Sequence, residues 1–209
     1  MIPFVTKLQQ QLKLPLPGKT AQKRMMPKAN WLQDRFAIDI KKGANEGAVL
    51  ILLYKKMGKI YFPLIQRHTY DGVHSGQISF PGGKVEPTDS SIEATALRET
   101  EEEIGVQRGL VNVLGRLTDL FIIVSNFNVR PVIGYLDSPP KFKLDEYEVA
   151  KVLEVSIDQL LTTNLVKEKR IEVKQGVFLT APYFDFNGHH VWGATSMMLA
   201  EFKEILKSL

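Results

Sequence analysis

"SFPGGKVEPTDSSIEATALRETEEEIGV", residues 79–106, sets a glycine pair ahead of a segment with four glutamates in five positions. Ser90 with Glu93 matches the S-x-x-E capping box, in which side chains satisfy the free amides of a helix start. Ile92, Ala96 and Leu97 supply an apolar stripe, and Gly105 stands where glycine commonly ends helices. The spacing predicts a helix over residues 91–104. Positions three and four apart share a helix face, so Glu99, Glu102 and Glu103 converge while Glu101 points elsewhere. Arg98, four before Glu102, pairs with it or orients it. Crowded carboxylates repel, and a hard divalent cation removes that penalty: Mg²⁺ and Mn²⁺ prefer oxygen ligands and keep waters or phosphates in their shells. A bare acidic run is usually only a solvated face. Here "FPGGK" places Gly82, Gly83 and Lys84 just before it, where backbone without side chains approaches a ligand closely. Together the parts describe a metal–phosphate site.

The chain has 209 residues, enough for one sizeable core, with 44% apolar and 24% charged residues, a globular composition. The net charge of +4 is scattered, without a long Lys/Arg run, which argues against a nucleic-acid stripe and leaves room for a small polyanion. With no cysteine, disulfides, zinc–thiolate sites and thiol nucleophiles are excluded. The N-terminus lacks the basic start and apolar stretch of a signal peptide, and the longest apolar run, "AVLILLY" at 48–54, is too short to span a bilayer. These features predict a cytoplasmic protein without a membrane partner.

Phe4, Leu8 and Leu12 fall on one face of a short helix that "PLPGK" stops, and residues 15–46 read as an irregular arm over the domain or a partner subunit. The expected organisation is residues 1–45 as helix and arm, and 46–209 as the catalytic domain, with a homodimer through the arm as one reading. Strands are expected at 47–54 and 60–66 around a Gly58 turn, at 76–83 running into the glycine loop, and at 110–117 and 128–136. Further strands are expected within 169–193, around an Asn187-Gly188 hairpin signal. Ser156 with Gln159 caps a short helix, and Met198, Phe202, Ile205 and Leu209 mark a terminal one. Strands alternating with a few helices predict an α/β fold with a mixed sheet between helical layers.

The residues Arg98-Glu99-Thr100-Glu101-Glu102-Glu103-Ile104-Gly105-Val106 resemble the second half of the Nudix box, with Thr100 in place of a hydrophobic residue. The first half differs. Five residues after Gly83 stands Asp89 rather than Glu, and eight residues rather than seven separate it from Arg98. One residue turns a helical position by about 100°, so the spacing leaves Asp89 without an assigned role. Leu64-Ile65-Gln66-Arg67 followed by His74-Ser75-Gly76-Gln77-Ile78-Ser79-Phe80-Pro81-Gly82-Gly83 is similar to the longer signature of the coenzyme A pyrophosphatase group of Nudix hydrolases. "VRPVIGYL" at 129–136, "YEVAKVLEVSIDQLL" at 147–161 and "VWGATS" at 191–196 also look like that group.

The resemblance implies a Nudix-type α/β/α sandwich and Mg²⁺- or Mn²⁺-dependent cleavage of coenzyme A to 3′,5′-ADP and 4′-phosphopantetheine. ADP-ribose, a dinucleotide or a nucleoside triphosphate is the alternative substrate, and a catalytically silent nucleotide-binding module the alternative function. Glu99, Glu102 and Glu103 are the expected metal ligands, with the Gly82 carbonyl and a carboxylate from outside the box, Glu148 with Glu146 in reserve. Glu102 or Glu99 is the expected general base. Arg67, just past a strand, suits a bidentate grip on phosphate, and Arg67, Lys84 and Arg130 are candidates for a 3′-phosphate. His74 orients the loop or touches substrate, and Gly83 lies against it. Gln77 and Ser79 are expected to steady the loop. His189 and His190, on opposite faces of a strand, read as hairpin surface, and Trp192 as core.

Overall fold

A computed structural model describes residues 1–28, 43–68, 76–123, 125–162, 165–174 and 176–209. Its centre is strand β1, Asn45–Lys56, apolar on both faces because both are covered. β1 turns through Met57 and Gly58, both in the left-handed region (φ 48° and 79°), into β2, Lys59–Arg67. Two positive φ values match the twist of a tight hairpin. β2 meets β3, Ile78–Ser79, at its far end, and β4, Gly82–Lys84, returns antiparallel to the start of β1.

Helix α3, Ile92–Ile104, follows, and then β5 (Asn112–Arg116), β6 (Leu120–Ile122), β7 (Phe127–Leu136) and β8 (Val149–Ser156). β7 runs parallel to β1 along its length, β5 and β6 pair antiparallel with β7, and β8 pairs antiparallel with β2. Among the described residues this is an eight-stranded mixed sheet. A three-stranded antiparallel sheet follows helix α4 (Ile157–Leu161): β9 (Val166–Lys174), β10 (Val177–Phe186) and β11 (His189–Trp192).

Alternation along β1 divides the core. Ala48, Leu50, Leu52 and Tyr54 pack with Ala96 and Ile104 of α3. Ile51 and Leu53 pack on the other face with Leu8 of α1 (Ile2–Gln11) and with Phe202 and Ile205 of α5 (Gly193–Lys207). Helices on both faces of a mixed sheet make the expected α/β/α sandwich.

Three local readings change. The cap of α3 is Ser91, whose hydroxyl accepts from the Ala94 amide, not Ser90 in a box with Glu93. Glu93 lies one position too early in the helix for that reciprocal bond and pairs with Arg116. In the segment read as an irregular arm, Gly18–Gln22 forms α2 and Lys23–Met25 a 3₁₀ turn; residues 29–42 of it lie outside the described residues. β8 carried no strand expectation, because Ala150, Lys151 and Glu154 dilute its alternation, yet Val149, Leu153 and Val155 are buried. The capping box at Ser156 and Gln159 is present in full.

Candidate active site

The site forms where α3 passes the glycine loop. Gly105, in the left-handed region at φ 71°, ends the helix and donates its amide to the Glu101 carbonyl. Glu101 leaves the shared face and pairs with Arg108. Gly82 holds φ 149°, and a Cβ there would fall 2.2 Å from the Ala48 carbonyl oxygen, so only glycine lets β4 lie this close to β1. A Cβ on Gly83 would fall 2.5 Å from the Glu99 carboxylate, so the loop is cut to that side chain's shape. The Gly82 amide donates to Glu103 Oε2 at 2.8 Å. Gly82 thus meets the acidic face through its N–H.

Arg98 organises the loop and half of the acidic face. Its Nε and Nη2 donate to the two oxygens of Asp89 at 2.9 and 3.0 Å, and Nη2 also donates to the Lys84 carbonyl at 3.0 Å. Its Nη1 donates to Glu99 at 3.0 Å and Glu102 at 2.9 Å. Asp89 in turn accepts from the Glu86 amide and the Thr95 hydroxyl. Asp89 therefore has a role that its spacing concealed. It precedes the helix, so the extra residue is taken up in the turn and rotates nothing on α3. The paired guanidinium holds the Asp89 carboxyl far below its usual range, and Asp89 in turn raises Arg98 above its own.

Arg67 organises the other half. Its Nη1 stands 3.4 Å from Glu103 Oε1 and its Nη2 3.2 Å from Glu148 Oε2. Asp145 shapes the turn before β8 by accepting from the Tyr147 and Glu148 amides, and Val149 is the register partner of Arg67. Glu148 reaches Arg67 by this route; both Glu148 and Glu146 are exposed. Glu103 is 2% exposed, and burial pushes its carboxyl up to about 8 despite the Gly82 amide and Arg67. Burial raises Glu99 as well, against the lowering effect of Arg98.

The structure thus gathers Glu99, Glu102, Glu103, Glu148, Arg67, Arg98, Gly82 and Gly83. Lys84 contributes its carbonyl while its residue is exposed. His74 lies outside the described residues. Arg130 is engaged by Glu46 and Asp119. His189 stands beside Lys151, His190 packs on Tyr183, and Trp192 lies under Lys169, all on the second sheet. Beside the glycine loop opens a cavity of about 270 Å³, lined by Arg67, Gln77, Ser79, Phe127 and Met198 among others. Sequence reasoning missed that Phe127 and Met198 meet there, since they come from β7 and α5, 71 positions apart in the chain.

Among the described residues, no three acidic or histidine side chains stand close enough to enclose an ion as they are. Each carboxylate of the α3 face is turned to an arginine or an amide. The donor chemistry still fits a hard divalent ion. The donors are all oxygen, and the burial that raises the carboxyls of Glu99 and Glu103 is a desolvation cost that a bound cation would offset.

Residues 44–175 match the model of the NUDIX domain. The chain is 34% identical over 137 residues to the uncharacterized Nudix hydrolase NudL of Yersinia enterocolitica, a match covering 65% of this chain and 69% of that one. It is 32% identical over 126 residues to the protein of the same name from Yersinia pestis; the match covers 60% of this chain and 62%, less than two thirds, of that relative. The solved structure of the Nudix hydrolase RenU from M. smegmatis has a similar fold, with a TM-score of 0.55 at 14% identity over 79% of this chain and 88% of that one.

Proposed function

The chain belongs to the Nudix hydrolase family, and from that premise we propose that it cleaves the diphosphate of coenzyme A or its derivatives, releasing 3′,5′-ADP and 4′-phosphopantetheine. The observation that carries the reading is the fit of the Gly82–Gly83 backbone against Glu99 and Glu103, beside an arginine anchored outside the helix. The coenzyme A signature supports the substrate, since its Arg67 stands at the carboxylates and lines the adjoining cavity.

Glu99, Glu102, Glu103 and Glu148 would hold Mg²⁺ or Mn²⁺, with the Gly82 carbonyl as a further oxygen. Bound there, the metal would neutralise the oxygens of the diphosphate and make a bound water more acidic. Arg98 orients Glu99 and Glu102 from its Asp89 anchor. Either glutamate can take the proton of the attacking water, and Arg67 can grip a phosphate with two parallel N–H groups. The missing side chain at Gly83 leaves room for the Glu99 carboxylate.

The test is product analysis after incubation with coenzyme A and Mg²⁺, alongside ADP-ribose at equal concentration. The expected product is 3′,5′-ADP, and much faster cleavage of ADP-ribose would overturn the substrate assignment. Glu102→Gln and Glu103→Gln should each lower turnover by on the order of a hundredfold. Near-normal rates in both would remove this site from the chemistry.

A further inference from the structure

Two arginines stand at the acidic face, and they are held differently. Arg98 is fixed from outside the face by both oxygens of Asp89 and by the Lys84 carbonyl, and is 8% exposed. Arg67 has its ion pairs with the face itself: Glu103 at 3.4 Å and Glu148 at 3.2 Å. Both separations are longer than the 2.7–2.9 Å or so of a well-formed charge-assisted bond. Its side chain is 27% exposed and borders the cavity.

A guanidinium keeps its charge at any working pH and sits on a long, flexible stem. Arg67 therefore supplies one positive charge to Glu103 and Glu148 in the absence of any ion. A divalent cation on the same carboxylates brings two, repels the guanidinium, and removes its reason to stay. The open side is the cavity, where an anionic diphosphate would complete the charge balance.

We propose that Arg67 is the resident counter-ion of this site: it holds Glu103 and Glu148 in the ion-free protein, yields them to a divalent ion, and then closes on the anionic diphosphate from the cavity side. The inference rests on the metal site proposed above and adds an order to it, ion first and substrate second. Arg67 is on this account a positioning residue in one state and a substrate-binding residue in the next.

The test measures Mn²⁺ binding to the full chain without nucleotide, by titration calorimetry or electron paramagnetic resonance. Removing a competing counter-ion should tighten binding, so Arg67→Gln is expected to bind Mn²⁺ about three- to tenfold more tightly than wild type. Arg67→Lys, which keeps a point charge, should stay near wild type. Unchanged or weaker binding in Arg67→Gln would show that Arg67 merely scaffolds the site and would overturn the inference. If the wild type took up no Mn²⁺ at all, the metal-site reading itself would fall, which is a separate result.

A second readout uses the wild-type protein and does not depend on Arg67→Gln folding. The Arg67 side-chain N–H resonance, assigned by its loss in Arg67→Lys, should shift when Mg²⁺ is added and shift again with ADP, a nucleoside diphosphate. A resonance that ignores Mg²⁺ overturns the release, and one that ignores ADP overturns the grip.

Discussion

Asp89 meets Arg98 with both carboxylate oxygens, at 2.9 and 3.0 Å, and so decides how much of that arginine's charge reaches the acidic face. With the Asp89 charge removed, Arg98 would lean more strongly on Glu99 and Glu102, and an incoming ion would compete with a stronger neighbour. Asp89→Asn should therefore raise the Mg²⁺ concentration for half-maximal activity by about fivefold, a difference near 1 kcal/mol; a metal titration of activity checks it. The same pair sets an acid limit on stability. The folded-state carboxyl lies well below the ordinary value of about 3.9, so its stabilisation is present above that value and is lost as pH falls through the lower folded value. Thermal melts below about pH 4 should show wild type losing its advantage over Asp89→Asn. None of this was legible from spacing, because the motif is written along the chain while the bond crosses a turn whose length the motif does not constrain.

The glycine strand β4 and helix α3 behave as one element, and their two glycines do different work. At Gly82 an added Cβ meets backbone, the Ala48 carbonyl at 2.2 Å, and φ is 149°. Backbone cannot step aside, so Gly82→Ala should unpair β4 from β1 at a cost of about 2 kcal/mol or more, read as a lower melting temperature. At Gly83 the added Cβ meets the far end of Glu99 at 2.5 Å. That side chain can swing away, so Gly83→Ala should keep its melting temperature within a few degrees of wild type and lose activity by about tenfold or more as Glu99 is displaced. A melt and an activity assay on both variants separate the two roles. The sequence announced that glycine was needed here, since close approach of backbone is a local requirement. It did not announce what was approaching.

At the scale of the whole molecule, buried Glu201 of α5 accepts from the Gly18 amide at 3.2 Å, Gln22 Nε2 at 2.8 Å, and the Thr118 amide and hydroxyl at 3.2 and 2.7 Å. One carboxylate thus ties α2 and the link before β6 to the helix whose first turns line the cavity. Glu201→Gln turns one acceptor into a donor facing donors, which should cost about 1–3 kcal/mol and lower the melting temperature by roughly 5 °C for a chain of this size, measured by calorimetry. The sequence by itself determined the acidic helix, the glycine punctuation, the hairpins and the layered α/β plan. Each of these follows from periodicity or from a backbone angle that one residue type favours, and both act over a few neighbouring positions. Only the tertiary structure decided that Asp89 anchors Arg98, that Arg67 spans Glu103 and Glu148, and that Glu201 clasps a segment 183 positions away. Those partners meet because strand pairing and helix packing bring them together, and no local pattern encodes which distant charge will be waiting.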